Sequence, residues 1–340
     1  MKKNDIIMTL LKGRTLIVLS LLVIFFSFAA ESFFTAQSLL LVAKHVALYG
    51  ILGIGMTYVL VTGGIDLSVG AVVGVAGMVS GYLINHGLTM FGYTIYFSVP
   101  TIVIIAIVIG VIIGAINGVI ITKFAVAPFI ATLGMMYMAR GVANLISNGA
   151  TFPNLVGKEA LGNTGFEIFG RDIAGFPVAV IILILIAVIA AVILRKTPFG
   201  WHILAIGGNE RASKLSGVHV DKDKLLVYMF SGACSAVVGI IATSQLVASH
   251  PMTGNTWEMN AIAAAVLGGT SLMGGVGTIV GTVIGAFIIG VISDGMVMCG
   301  VSEFWQMIIK GLVIVLAVIV DQYQRDLQAR MALQARNENK

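Results

Sequence analysis

The sequence predicts an all-α polytopic membrane protein of about ten transmembrane helices. Apolar residues (AVILMFWYC) make up 58% of the 340 residues, charged residues make up only 10%, and the mean hydropathy is +1.03. Soluble domains carry about 25% charged residues because their surfaces face water. Apolar runs long enough to span a bilayer also alternate with short polar segments along the chain. Soluble enzymes, coiled coils, collagen and disordered chains are therefore excluded.

Ten apolar runs, bounded by proline, glycine or charged residues, are the candidate spans. They lie at 15–30, 46–62, 67–85, 97–121, 128–147, 177–194, 225–248, 258–268, 278–294 and 305–320. The run at 258–268 is too short to cross a bilayer alone, so it predicts either a helix extended by its neighbours or a broken helix. The first run follows several basic residues, as a secretory signal does. An uncleaved helix is favoured because nothing downstream resembles a mature soluble domain.

The orientation follows from the basic residues, which concentrate before residue 15, in the loop 195–224 and after residue 320. Basic flanks of membrane spans stay in the cytoplasm. An even number of spans places all three segments there; eight or twelve spans would do so as well as ten. The chain thus divides into a cytoplasmic N-terminus (1–14), a transmembrane domain (15–320) and a cytoplasmic tail (321–340). The net charge of +5 reflects this topology and does not indicate nucleic-acid binding.

The 41 glycines are frequent at four-residue spacing, as in Gly110, Gly114 and Gly118. Small residues on one helix face allow close packing between helices in lipid. The segments 63–70 and 268–275 also share the pattern GGxxLxxG. This similarity leaves open either an internal duplication or chance in a glycine-rich chain.

The sequence contains no arrangement of residues typical of an enzyme. It has no G-x-x-x-x-G-K-[ST] motif for nucleotide phosphates, and Cys234 and Cys299 match no zinc or redox spacing. Carriers driven by protons or sodium usually place acidic groups within the membrane, whereas the acids here fall at the ends of predicted spans. We therefore expect a transport subunit that binds no metal or cofactor and whose energy source lies on another polypeptide.

The loop 195–224 predicts a short isolated helix over residues 209–216. Asn209 suits the N-cap, Glu210 the first turn, and Gly217 the left-handed conformation that ends a helix. A two-turn helix is not stable alone in water, so it requires contacts with its own protein or with a partner. The alternative is a solvated connecting loop whose basic residues reflect only the preference of such residues for the cytoplasmic side.

Four ordered motifs resemble the membrane permeases of bacterial monosaccharide ATP-binding-cassette (ABC) importers, such as those of the ribose, galactose, arabinose and xylose type. The first lies in the loop 195–224, and the others lie in or beside predicted spans. The motifs are Thr197-Pro198-Phe199-Gly200 with Ala205-Ile206-Gly207-Gly208-Asn209, Ala212 and Ser216-Gly217-Val218; Gly63-Gly64-Ile65-Asp66-Leu67-Ser68-Val69-Gly70; Pro128-Phe129-Ile130-Ala131-Thr132-Leu133-Gly134 with Arg140-Gly141; and Ala261-Ile262-Ala263-Ala264 through Gly268-Gly269-Thr270-Ser271 to Gly274-Gly275-Gly277.

This resemblance implies a type II ABC importer-like permease bundle in the bacterial inner membrane. It implies a second permease copy, cytoplasmic ATPase subunits that bind ATP and Mg, and a periplasmic sugar-binding protein that delivers a monosaccharide. The predicted helix at 209–216 would then couple the ATPase to the membrane helices. The expected coupling residues are Gly207, Gly208, Asn209, Ala212 and Gly217.

Polar residues within the predicted spans are candidates for the translocation pathway. Arg140 and Asn144 share one stripe of the fifth span and would offer hydrogen bonds to sugar hydroxyls. Alternatively, Arg140 reaches outward or pairs with an acid such as Glu31. Asn117, in the fourth span, is either a pathway group or a helix-packing group.

Asp66 and Ser68 precede the third span. They are expected to cap this helix, where Asp66 would lie near the positive end of the helix dipole, or to form a gate.

Two other functions compete with import of a monosaccharide. One is an ABC permease for branched-chain amino acids or another small solute, and the other is a stand-alone carrier. The sequence does not specify which sugar is carried.

Overall fold

The computed structural model describes residues 3–338 and, within them, the side chains of residues 15–316, 318, 319, 322 and 323. The outermost residues of the two predicted cytoplasmic segments, 1, 2, 339 and 340, lie outside the described residues. The α-helices are α1 (Lys3–Ala29), α2 (Ala36–Val61), α3 (Val69–Asn85), α4 (Val99–Lys123), α5 (Pro128–Ser147), α6 (Val178–Lys196), α7 (Pro198–Gly208), α8 (Glu210–Leu215), α9 (Val220–Leu246), α10 (Trp257–Leu267), α11 (Ile279–Met298) and α12 (Glu303–Glu338).

Six of these helices, α2, α4, α5, α6, α9 and α11, are long and apolar enough to cross a membrane. Shorter apolar helices occur at Thr15–Ala29, within α1, and as α3 and α10. The prediction of a helical multi-pass fold is therefore confirmed. The count of ten spans, the cytoplasmic termini and the domain boundaries stay predictions; the boundaries at residues 15 and 320 fall inside α1 and α12.

Strands occur only in two small hairpins of the described chain, which corrects the all-α prediction slightly. Strands β1 (Leu88–Met90) and β2 (Tyr93–Ile95) pair antiparallel between α3 and α4. Strands β3 (Asp172–Ile173) and β4 (Phe176–Pro177) do so before α6. Short 3₁₀-helices at Glu159–Leu161 and Phe166–Phe169 precede the second hairpin.

Helix α9 packs against α2, α3 and α4 in the middle of the bundle. A Cβ atom at Gly110 would overlap the carbonyl oxygen of Gly232, and one at Gly114 would overlap that of Tyr228. Glycine at these positions allows the α4 and α9 backbones to touch, as the glycine spacing predicts.

The predicted short span is a broken one, because α10 covers only 11 residues. The irregular segment 247–256 precedes it and lies along the glycine face of α3. Ser249 lies against Gly81, the Pro251 and Thr253 carbonyls lie against Gly74, and the Gly254 carbonyl lies against Gly70. This segment follows α3 over about 16 Å, at 1.5 Å per helical residue. The short helix is therefore preceded by non-helical backbone, as the broken-helix alternative predicts, and the crossing of the membrane by this region stays a prediction.

The glycine-rich turns after α2 and α10 contact each other. The Gly275 N–H donates a 2.9 Å hydrogen bond to the Val61 carbonyl, and the backbones of Gly63 and Gly274 lie side by side. Gly63 has φ +77° and Gly274 has φ +88°, a conformation that favours glycine. The two GGxxLxxG segments are thus neighbours in the fold.

Candidate functional site

The loop 195–224 forms two consecutive helices, α7 and α8, joined at Asn209. The Asn209 N–H donates to the Ala205 carbonyl at 2.9 Å, which ends α7. The Asn209 side chain accepts a 2.9 Å hydrogen bond from the Ala212 N–H and so caps α8. Gly217 follows α8 with φ +87°. The predicted short helix is present with its predicted cap, whereas the sequence reasoning missed α7.

Helix α7 is anchored to the membrane helices by its buried face. Ile203 and Ile206 are buried, and the Phe199 ring stacks on Tyr58 with 6.4 Å between centroids. The Tyr58 hydroxyl donates a 2.7 Å hydrogen bond to the Ala190 carbonyl of α6. These contacts connect α7 to both α2 and α6.

The end of α7 rests directly on the two glycine-rich turns. A Cβ atom at Gly207 would overlap the carbonyl oxygen of Val61 and the backbone nitrogen of Gly275. Gly207 is therefore required for close backbone approach. Gly208, by contrast, faces open space.

Two polar pairs connect α7 and α8 to α9. The His202 Nδ1 atom lies 3.1 Å from the Asp223 carboxylate, and the Lys224 ammonium donates to the Glu210 carboxylate at 2.7 Å. The two helices thus contact α2, α6, α9 and both glycine-rich turns.

Helix α8 presents a solvent-exposed face formed by Arg211, Ala212 and Leu215. Leu215 lies four positions after Arg211 and three after Ala212, so its side chain is on the same side of the helix as theirs. Leu215 is 90% exposed. The sequence reasoning missed Leu215, although its spacing from Ala212 within the predicted helix could have identified it. We call these three residues the α8 face.

Asp66 lies in the turn between α2 and α3 and accepts three hydrogen bonds. The Ser68 N–H donates at 3.0 Å and the Ser68 hydroxyl at 2.6 Å, both to Oδ1, while the Ser231 hydroxyl of α9 donates to Oδ2 at 2.8 Å. Burial raises the pKa of the Asp66 carboxyl, and the hydrogen bonds from Ser68 and Ser231 partly oppose this shift. Asp66 thus joins the start of α3 to α9.

Asn117 belongs to the same buried network. Its amide nitrogen donates a 2.9 Å hydrogen bond to the Ser68 hydroxyl, which connects α4 to the Asp66 turn. The Asn117 Oδ1 atom and the Tyr228 hydroxyl have no hydrogen-bond partner within the described chain. The structure therefore joins Asn117, predicted as a pathway or packing group, to Asp66 and Ser68, which were predicted together as a cap or gate. The predicted cap is wrong, because Ser68 forms no side-chain capping bond to α3; the gate stays a prediction.

Arg140 of α5 reaches the irregular segment before α10. Its guanidinium donates to the carbonyls of Pro251 and Thr253, at 2.6 and 3.0 Å, and to the Gly70 carbonyl at 3.3 Å. Glu258, which is buried, lies against Gly70 on the same face of α3. Arg140 thus engages backbone carbonyls rather than Glu31.

Asn144 donates to the Arg140 carbonyl of its own helix at 2.8 Å. The polar stripe of α5 is therefore engaged in contacts within the protein, and its role in a pathway stays a prediction.

No three His, Cys, Asp or Glu residues in the described part of the chain are placed to hold a metal ion. The six long apolar helices and the shorter apolar helices beside them are those of a multi-pass helical membrane protein.

The chain belongs to the family described as "Branched-chain amino acid transport system / permease component", whose model matches residues 38–318.

Relatives cover nearly the whole chain. The ribose import permease protein RbsC of Bacillus subtilis (strain 168) is 44% identical over 306 residues, covering 89% of this chain and 90% of that protein. RbsC of Escherichia coli (strain K12) is 39% identical, covering 92% and 94%. The xylose transport system permease protein XylH of the same strain is 32% identical, covering 88% of each. No solved structure matches the chain significantly.

Proposed function

We propose that this chain is the membrane-spanning permease subunit of an ABC importer for a monosaccharide, most closely a pentose. The substrate class is supported by the relatives, which are named ribose and xylose permeases. The exposed α8 face, held on an anchored helix pair, is the observation that carries the coupling role.

In this proposal the protein lies in the bacterial inner membrane with both termini and the α7–α8 pair in the cytoplasm. A second copy of the chain completes the pathway. Separate ATPase subunits bind ATP and Mg and receive the α8 face, and a periplasmic sugar-binding protein delivers the substrate. This chain itself catalyses no reaction and binds no cofactor.

The coupling mechanism follows from the contacts of α7. Movement of the ATPase would push α8, which is tied to α9 through Glu210 and Lys224. Because α7 meets Val61 and Gly275 through a residue without a side chain, the displacement would reach the turns that begin α3 and α11. Direct backbone contact transmits a displacement with little loss, since packed interiors are nearly incompressible.

The test is reconstitution of this chain with its ATPase and binding protein. Sugar uptake should require both partners and ATP. Ala212→Trp, on the α8 face, should abolish uptake while the permease remains folded in the membrane. Ala127→Trp is the control, because Ala127 is exposed in the predicted cytoplasmic loop between α4 and α5. Uptake by Ala212→Trp at the control's rate would contradict the coupling role.

A second candidate substrate is a branched-chain amino acid, which the family description names. ATP hydrolysis stimulated by a leucine-loaded binding protein, and not by ribose- or xylose-loaded ones, would favour that substrate. Uptake without any ATPase would instead identify a stand-alone carrier.

A further inference from the structure

We infer that a polar cavity between α10, α11 and α12 is where the permease holds a neutral polyhydroxylated solute on its way through the membrane. The inference rests on the proposed function and adds the site. The cavity has a volume of about 770 Å³, within the range of about 300–1,000 Å³ typical of small-molecule sites. Its polar lining includes Asn255, Asn260, Glu303, Gln306 and Lys310.

The broken span forms one wall of this cavity. Asn255 and Thr256 immediately precede α10, and Asn260 lies in its first turn. Irregular backbone at membrane depth is tolerated where it is buried in protein or lines a water-filled cavity. Transporters repeatedly place substrate at such discontinuous helices. The cavity therefore accounts for the non-helical backbone before α10, and this backbone in turn supplies polar groups to the cavity wall.

Lys310 provides a second, independent indication. It lies on α12 about 10 Å along the helix from Glu303, at 1.5 Å per residue. Among the side chains that the structure describes, Lys310 forms no ion pair, and Glu303 lines the same cavity. A lysine within a spanning segment is costly and usually marks a substrate or ion pathway.

The chemistry of the lining suits a neutral ligand. One lysine and one glutamate leave the cavity without net charge, which disfavours a phosphate group. Amides both donate and accept hydrogen bonds, as sugar hydroxyls do. The Asn260 amide makes no hydrogen bond to another described residue, although Asn260 is only 8% exposed, so a bound hydroxyl can engage it. The Gln306 amide nitrogen donates to the Val301 carbonyl at 2.9 Å. Arg140, Asn144 and Asn117 also donate within the protein. Asn260 is therefore the buried lining amide that is available to a ligand.

The first experiment measures protection of a cysteine in the cavity. Cys299 is exposed and Cys234 is buried, so Cys299→Ser provides a background with little surface reactivity. Gln306→Cys in the full-length protein is labelled in right-side-out membrane vesicles with an impermeant maleimide. D-ribose or D-xylose should slow this labelling several-fold. Gln37→Cys, at the exposed start of α2, is the matched control and should label at a rate that sugar does not change.

The second experiment measures uptake by Asn260→Leu and Gln306→Leu in the reconstituted importer. Asn260→Leu should reduce sugar uptake about tenfold, the effect of one lost hydrogen bond in a transport intermediate. Gln306→Leu should reduce it at least as much, because it also loses the hydrogen bond to the Val301 carbonyl, so Asn260→Leu decides the test. Gln37→Leu should not change uptake. Thermal unfolding of the purified variants identifies any that fail to fold. The labelling of Gln306→Cys tests the cavity even if a leucine variant does not fold.

The outcomes separate this site from the proposed function. Suppose that sugar uptake is normal but that Gln306→Cys is not labelled, or is labelled at a rate that sugar does not change. The cavity assignment is then overturned while the proposed function stands. Protection by L-leucine and not by sugars overturns both. The labelling is repeated with the protein reconstituted in vesicles of phosphatidylglycerol or of phosphatidylcholine. A labelling rate that differs between these lipids but does not respond to sugar assigns the cavity to lipid and overturns the proposal.

Discussion

The guanidinium group of Arg140 donates a 2.6 Å hydrogen bond to the carbonyl oxygen of Pro251, in the irregular segment before α10. A second bond, to the Thr253 carbonyl, is 3.0 Å long. Carbonyls in a non-helical stretch of a membrane span have no intrahelical donors, and leaving them unpaired is costly. Arg140 therefore supplies donors to carbonyls of the non-helical segment that precedes α10.

We expect Arg140→Ala to lower the free energy of unfolding by about 3 kcal/mol, because hydrogen bonds to charged groups contribute about 1.5–3 kcal/mol each. Arg140→Lys should have an intermediate effect, since an ammonium retains the charge but not the planar fork of donors. Thermal unfolding in detergent measures both. Arg171→Ala is the control: Arg171 is 67% exposed and pairs only with Glu167, so its loss should change stability by less than about 1 kcal/mol. Equal melting of the Arg140 and Arg171 variants would contradict this role.

The two adjacent glycines at the end of α7 provide a matched pair. Gly207→Ala should displace α7 from Val61 and Gly275 and strongly reduce ATP-driven uptake, because a Cβ atom there overlaps backbone that cannot move freely. Gly208→Ala should be tolerated, because a Cβ atom at Gly208 would meet no atom within 4 Å. Uptake and ATP hydrolysis are measured in the same reconstituted vesicles. If both variants transport equally, the contact of α7 with the glycine-rich turns does not transmit the movement.

The sequence was sufficient to predict the apolar helices, since each is a long hydrophobic run. It also predicted α8, because the cap of Asn209 and the left-handed Gly217 are local signals. It missed α7, although Thr197 accepts from the Gly200 N–H at 3.3 Å and Pro198 suits the first helical position. The apolar face of α7 was obscured by the charged loop around it.

The tertiary contacts could not be predicted from the sequence. Arg140 lies 111 residues before Pro251, and no local pattern connects them. Ser231 lies 165 residues after Asp66, so no local signal predicted this bond to α9. The predicted cap of α3 was wrong, because Ser68 forms no side-chain capping bond and Asp66 accepts from Ser68 and Ser231 instead. The broken span was one of two alternatives, because the length of an apolar run does not reveal what completes it.

Asp66→Leu should destabilise the protein more than Asp66→Asn. Leucine leaves the Ser68 N–H and the Ser231 hydroxyl without their acceptor, and each unsatisfied buried group costs about 1–3 kcal/mol. An asparagine oxygen still accepts from the Ser68 N–H, and its amide can donate to the Ser231 hydroxyl. Thermal unfolding of the two variants decides the order. The reverse order would show that packing, not hydrogen bonding, governs this turn.

The same carboxyl predicts a pH dependence. Because burial raises the pKa of Asp66 above its ordinary value of 3.8, the folded state binds more protons than the unfolded state between those two values. The stability of the wild type relative to Asp66→Asn should therefore be greatest below the ordinary pKa and decline as pH rises through the raised one. Unfolding both proteins over a pH series measures this difference. A difference that grows with rising pH would show that the hydrogen bonds outweigh burial.

Leu215→Ser tests whether the α8 face is a docking surface. Leu215 is 90% exposed, so its replacement should leave the stability of the isolated permease within about 0.5 kcal/mol of wild type. An exposed leucine buried in an interface contributes about 1.5–3 kcal/mol, so ATPase binding should weaken at least about tenfold. Binding is measured by titrating the purified ATPase against the permease in nanodiscs. Lys222→Ser is the control, because Lys222 is exposed but lies beyond α8 in the first turn of α9. Unchanged binding by Leu215→Ser, or equal loss in both variants, would show that the ATPase does not dock on this face.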